Sequence, residues 1–115
     1  MVTSEILVLV RDLIFASRIA ATARAEGVDV RMLRHPAALA AEAGERLIVD
    51  LNQPGALEAA AAWRTAEPHA RREVVGFVSH VDAETISAAR AAGIDRILAR
   101  SAFVEKLPEL LRGTY

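Results

Sequence analysis

The chain has no cysteine, which excludes both a disulfide framework and a thiolate metal site. Aromatic residues are scarce, at 4% of the sequence, so a bulky aromatic core is not available. Abundant alanine instead favours thin helices lying close to a sheet. Neither sign of charge dominates: 14 Lys and Arg face 15 Asp and Glu, for a formal net charge of -1. The basic footprint that nucleic acid or an anionic membrane would require is therefore missing. Long apolar runs are missing too. Ile6 to Val10 is far too short to cross a bilayer, and it lacks the basic leader and small-residue cleavage site of a signal peptide. No glycine-rich loop follows this first run, where Arg11-Asp12-Leu13-Ile14 stands, so dinucleotide binding and Walker-type hydrolysis lack their loop. Ser79 has no glycine-flanked elbow, and His35, His69 and His80 show no metal-cage spacing. The expectation is one soluble, cytoplasmic domain over residues 1–115, with no linker and no output domain, binding neither nucleic acid nor membrane.

What is present alternates. The central stretch is Leu47-Ile48-Val49-Asp50-Leu51-Asn52-Gln53-Pro54-Gly55, an apolar run that ends in one carboxylate and then turns. Such a run suits a strand buried on both faces, as in a parallel sheet. Asp50 then lies at the strand's carboxyl end, either capping the next loop or belonging to a site, because ligands of open α/β sheets bind along that edge. Ile6 to Val10 reads as the first strand, and Asp12 as the cap of a helix carrying Phe15, Ile19 and Ala23 on one face until Gly27. Val28 to Leu33 alternates as a half-covered strand does, and Pro36 opens a short helix ending at Gly44. A helix from about Ala56 to Glu67 stops at Pro68, and Val74 to Val78 forms the fourth strand. Asp82 caps the next helix, which Gly93 halts. Ile97 to Ala99 is the fifth strand, and Ser101 the expected cap of a last helix that Pro108 either kinks or delays.

Five strands alternating with five helices require right-handed crossovers and helices on both faces of a parallel sheet. At this length the architecture is an α/β, flavodoxin-like (βα)5 domain with strand order 2-1-3-4-5. That order gathers Arg11, Asp12, Asp50, Ser79 and Arg100 on one rim, although they are far apart in sequence.

In this pattern the chain resembles the receiver domain of bacterial response regulators over nearly its full length. In that family an acidic pair follows the first strand, and a phosphoryl-accepting aspartate ends the third. Thr or Ser ends the fourth, and Lys, usually before Pro, ends the fifth. The resemblance implies that Asp50 is the phosphoacceptor, with Ser79 and Arg100 acting beside it. Arg11, Asp12, Asn52 and His80 would complete the pocket. Asp12, Asp50 and the Asn52 carbonyl would be the Mg²⁺ ligands if the phosphorylation site works, and no cofactor is implied otherwise. Partners would be another protein or a second copy, including a histidine kinase. Trp63 is a candidate interface anchor or a residue covering the sheet; Ile86, Phe103 and Leu107 are the other interface candidates.

Several positions depart from that pattern. Arg11 replaces one acid, Arg100 the lysine and Ser101 the proline. Ile97 stands where the family's switch often carries Tyr or Phe, and the helix after Gly55 starts early. These changes describe an atypical, pseudo-receiver-like domain. A guanidinium forks around oxyanions, so the expectation is a standing Asp50–arginine network in a domain that works through protein contacts. The alternatives are a conventional Mg²⁺-dependent phosphorylatable regulator and a small anion-binding sensor or enzyme at the same rim.

Overall fold

The computed structural model describes residues 6–79 and 82–114. Five parallel strands form one sheet in the order β2-β1-β3-β4-β5, as the sequence predicts. They are β1 (Ile6–Leu9), β2 (Val30–Leu33), β3 (Arg46–Asp50), β4 (Glu73–Val78) and β5 (Arg96–Ala99). The α-helices are α1 (Leu13–Ala25), α2 (Ala56–Ala66), α3 (Ala83–Ala91) and α4 (Arg100–Arg112). The expected short helix after β2 is a 3-10 helix, Pro36–Ala41. Six residues close little more than one α-turn, which is too short for α-helical cooperativity to develop.

Strand alternation sorts the core into two layers. Leu7, Leu9, Leu47, Val49 and Val74 face the 3-10 helix, α2 and α3, where Leu39, Ala56, Ala60, Trp63 and Ala89 complete the packing. Ile6, Val8, Ile48, Val75 and Phe77 face α1 and α4, against Phe15, Ile19, Phe103, Leu107 and Leu111. The three phenylalanines form a cluster, with ring centroids 5.1 Å apart for Phe15 and Phe77 and 4.5 Å for Phe77 and Phe103. Separations of this size give aromatic pairs a contribution beyond area burial.

These layers correct part of the interface expectation. Trp63, Phe103 and Leu107 are buried in the core, at 2%, 0% and 2% exposure, so their apolar faces are already covered by this chain. Trp63 also donates its indole N–H to the Glu42 carbonyl at 3.0 Å, satisfying the one polar atom that burial would otherwise strand. Ile86 is half-buried and packs on the edge of the same layer.

The last helix differs from expectation at its start. Ala99 holds the cap position without a side-chain bond, α4 begins at Arg100, and Ser101 lies inside its first turn. Pro108 lies within α4 and does not delay it; Gly113, at φ 77°, ends the helix. An immediate strand-to-helix transition leaves Arg100 at the carboxyl edge of the sheet.

Candidate functional site

The loop after Asp50 is held in place by packing from below. A Cβ built on Gly76 would lie 2.5 Å from Leu51 Cδ1, so the missing side chain in β4 is the space that Leu51 fills. Leu51 also donates its backbone N–H to the Phe77 carbonyl at 2.9 Å. With Leu51 seated, the next residues turn over the edge: Asp50 Oδ1 accepts the Asn52 N–H at 3.0 Å, an Asx turn. Gly55 takes φ 80°, a left-handed conformation suited to glycine, and α2 starts at the next residue. Gln53 points back into the protein, donating Nε2–H to the Arg34 carbonyl at 2.8 Å.

Asn52 ties this loop to the end of β4. Its Oδ1 accepts the Ser79 backbone N–H at 2.6 Å, which sets Ser79 beside the Asp50 loop. Asp12 caps α1 as the sequence suggests, its Oδ1 accepting the Ile14 and Phe15 N–H groups at 3.0 and 3.2 Å. Arg11 is exposed. The Arg100 guanidinium stacks on the Phe15 ring at 4.0 Å, a cation–π contact that anchors its base to the aromatic cluster.

Arg11, Asp12, Asp50, Asn52, Ser79 and Arg100 line one cavity of about 470 Å³, together with Gln53 and Pro54. The rim that strand order implies is therefore a single pocket. His80, the other pocket candidate, lies outside the described residues.

The electrostatic arrangement differs from the expected network. Among the described residues, the ion pairs join Arg31 to Glu42, Arg46 to Glu73, Arg64 to Asp95 and Arg112 to Glu26, and none reaches Asp50. Arg11 and Arg100 share the cavity with Asp50 without pairing to it, which corrects the expectation of a standing salt bridge. The physical reason is visible at Arg100, whose planar group is taken up by Phe15. Burial is the largest influence on Asp50 and pushes its carboxyl above the ordinary aspartate range. The Asn52 N–H and the positive charges of Arg100 and Arg11 act in the opposite direction, while Asp12 adds to the rise.

Sequence reasoning missed three features near this pocket. Leu13 and Ile14 are the exposed large hydrophobics among the described residues, at 58% and 86%, and they form the first turn of α1 beside Arg11 and Asp12. Their signal was present, since a helix burying positions 15, 19 and 23 must turn position 14 away. Gln53 is 93% buried by its 7% exposure, and its Oε1 lacks a partner among the described residues. No local pattern distinguishes such a glutamine from a surface one. The Arg100 stack on Phe15 likewise requires the tertiary fold.

No family model matches the sequence, and no curated protein matches it. Solved structures do match. A response regulator from Burkholderia pseudomallei, with a phosphorylated aspartic acid, calcium ion and citrate, superposes with a TM-score of 0.76 at 23% identity. The match covers 95% of this chain and 66% of that one. The chemotaxis protein CheY4 of Vibrio cholerae gives 0.79 at 18% identity, covering 99% of this chain and 100% of that one. The beryllofluoride-activated NtrC4 receiver domain dimer gives 0.70 at 13% identity, covering 98% and 100%. The fold is thus the flavodoxin-like one of CheY-like response-regulator receiver domains.

Proposed function

We propose that this chain is a receiver-like signal-transduction module that acts through protein–protein contacts and takes its input at a divergent phosphoacceptor site centred on Asp50. The observation that carries this reading is the cavity at the carboxyl edge, where strand ends bring Asp12, Asp50, Ser79 and Arg100 together. Only Oδ1 of Asp50 accepts a hydrogen bond among the described residues, and no ion pair there occupies the carboxylate. Its second oxygen serves as the nucleophile for a phosphoryl group. In this reading Ser79 and Arg100, which line the same cavity, meet the oxygens of that group, where hydrogen-bond donors and fixed charge stabilise transfer most.

The partner is a protein: a histidine kinase that delivers the phosphoryl group, or a second copy. The exposed Leu13-Ile14 turn borders the pocket and gives an approaching donor protein an apolar contact next to Asp50. Ile86, half-buried near edge strand β5, belongs to the face that would report the change.

The test is the amide spectrum of the full chain titrated with beryllofluoride in the presence of magnesium. Shifts at Ser79, Ile86 and Ile97 that Asp50→Asn abolishes are expected. An unchanged spectrum, or the same shifts in Asp50→Asn, would overturn the reading.

A further inference from the structure

The lining of the Asp50 cavity contains two arginines and two aspartates, so its side-chain charges cancel before any ion or ligand enters. Mg²⁺ keeps most of its waters and is held through one or two carboxylates, so a site for it depends on net negative charge around those carboxylates. Here that net charge is gone. Among the described residues no cluster of three acidic, histidine or cysteine side chains could hold a metal. Of the two available carboxylates, Asp12 already commits Oδ1 to two backbone amides at the start of α1. Asp50 commits Oδ1 to Asn52. The remaining oxygens share their cavity with two guanidiniums that cannot be deprotonated, and a divalent cation placed among them is repelled. The donor set does not fit the ion.

The same lining fits an anion. Arg11 and Arg100 bring two fixed positive charges, and Ser79 a hydroxyl, to the space in front of Asp50. A guanidinium matches phosphate oxygens in a planar, bidentate geometry that an ammonium does not offer. We propose that Asp50 accepts a phosphoryl group from a small acyl phosphate without a divalent cation, with Arg11 supplying the charge that the metal would supply elsewhere. This rests on the reading of Asp50 as a phosphoacceptor. In the step, the second oxygen of Asp50 forms a bond to phosphorus while the bond between phosphorus and the donor's acyl oxygen breaks. The electron pair leaves on the donor as a carboxylate, so no proton is transferred and no oxidant or reductant enters. Charge on the three equatorial oxygens is met by Arg11, Arg100 and Ser79.

The experiment uses the full chain and acetyl phosphate, in excess EDTA or in excess magnesium, with the phosphoryl adduct read by intact mass and Asp50→Asn as the control. Adduct formation at closely similar rates in both conditions is expected. Arg11 makes no hydrogen bond or ion pair among the described residues, so Arg11→Asp should fold normally. In that variant the rate in EDTA should fall about a hundredfold and recover with magnesium, the scale of losing one charge-stabilising group. Magnesium alone should give saturable amide shifts at Asn52 and Ser79 in Arg11→Asp and none in the parent. An adduct that forms only with magnesium, or saturable magnesium binding by the parent, would overturn the metal-free site while leaving Asp50 as phosphoacceptor. No Asp50-dependent adduct in either condition would overturn the inference, and absence of the beryllofluoride response as well would remove the functional reading with it.

Discussion

The two edges of the sheet use arginine in opposite ways. At the amino edge, Arg64 grips Asp95 with two hydrogen bonds of 2.9 and 2.8 Å, and Asp95 also accepts the Val74 N–H at 2.7 Å. Arg46 bonds Glu73 at 3.0 Å and the Leu110 carbonyl at 3.2 Å, tying β3 and β4 to the end of α4. Arg72 lies 4.4 Å over the Trp63 ring and donates to the Trp63 carbonyl at 2.6 Å. At the carboxyl edge, Arg11 and Arg100 share a cavity with two aspartates and pair with neither. The amino edge therefore closes the fold, whereas the carboxyl edge leaves charge available. A chain can pair its charged groups at one end of its strands and leave them open at the other, the end along which ligands of open α/β sheets bind.

This contrast predicts that removing paired or packed groups costs stability, whereas removing the open charged groups of the carboxyl edge does not. The largest effect is expected for Trp63→Ala, which leaves a cavity between α2 and the sheet and strips Arg72 of its stacking partner; denaturant unfolding should show a loss of about 3–5 kcal/mol. Gly76→Ala probes the point where the core sets the Asp50 loop, since the new methyl meets Leu51 at 2.5 Å. It should destabilise by about 2–3 kcal/mol and shift the Asn52 and Ser79 amides. Asp95→Ala removes both bonds from Arg64 and the Val74 partner, with an expected cost of about 1.5–2 kcal/mol in the same measurement.

Asp50→Asn should act in the other direction. Burial raises the Asp50 carboxyl, so the folded protein binds more protons than the unfolded chain between the ordinary aspartate pKa and the raised value. Stability contributed by this group accordingly falls as pH rises through that window, and the ionised carboxylate is a net cost above it. Asp50→Asn should raise Tm at pH 7, by less than any of the losses above, in thermal unfolding followed by circular dichroism. The gain should vanish below about pH 4, where the carboxyl is protonated in both states.

Much of this molecule was legible in the sequence because its signals are local. Short apolar or alternating segments bounded by turn and charged residues mark all five strands, and Asp12 and Asp82 cap α1 and α3 as their positions suggest. The gathering of Arg11, Asp12, Asp50, Ser79 and Arg100 followed from strand order, and Asn52 from the family resemblance. What stayed hidden depends on direction in space. Periodicity shows that Phe103 and Leu107 share a face, not that the face meets Phe77 and the sheet. Trp63 on an alanine-rich helix reads equally as an anchor or as core until Glu42 provides its acceptor. The arginines were the hardest to place. A long charged side chain at a strand end can pair with a carboxylate or lie along an apolar surface, and only the position of Phe15 decides this for Arg100.

The most direct measurement is the titration of the Asp50 side-chain carboxyl by carbon-detected NMR in the full chain. Unpaired but half-buried, it should titrate above the ordinary aspartate value of about 3.9, and Arg100→Ala should move it higher still by removing a charge that favours ionisation. A value well below the ordinary one, returning towards it in Arg100→Ala, would reveal a direct ion pair and contradict the account.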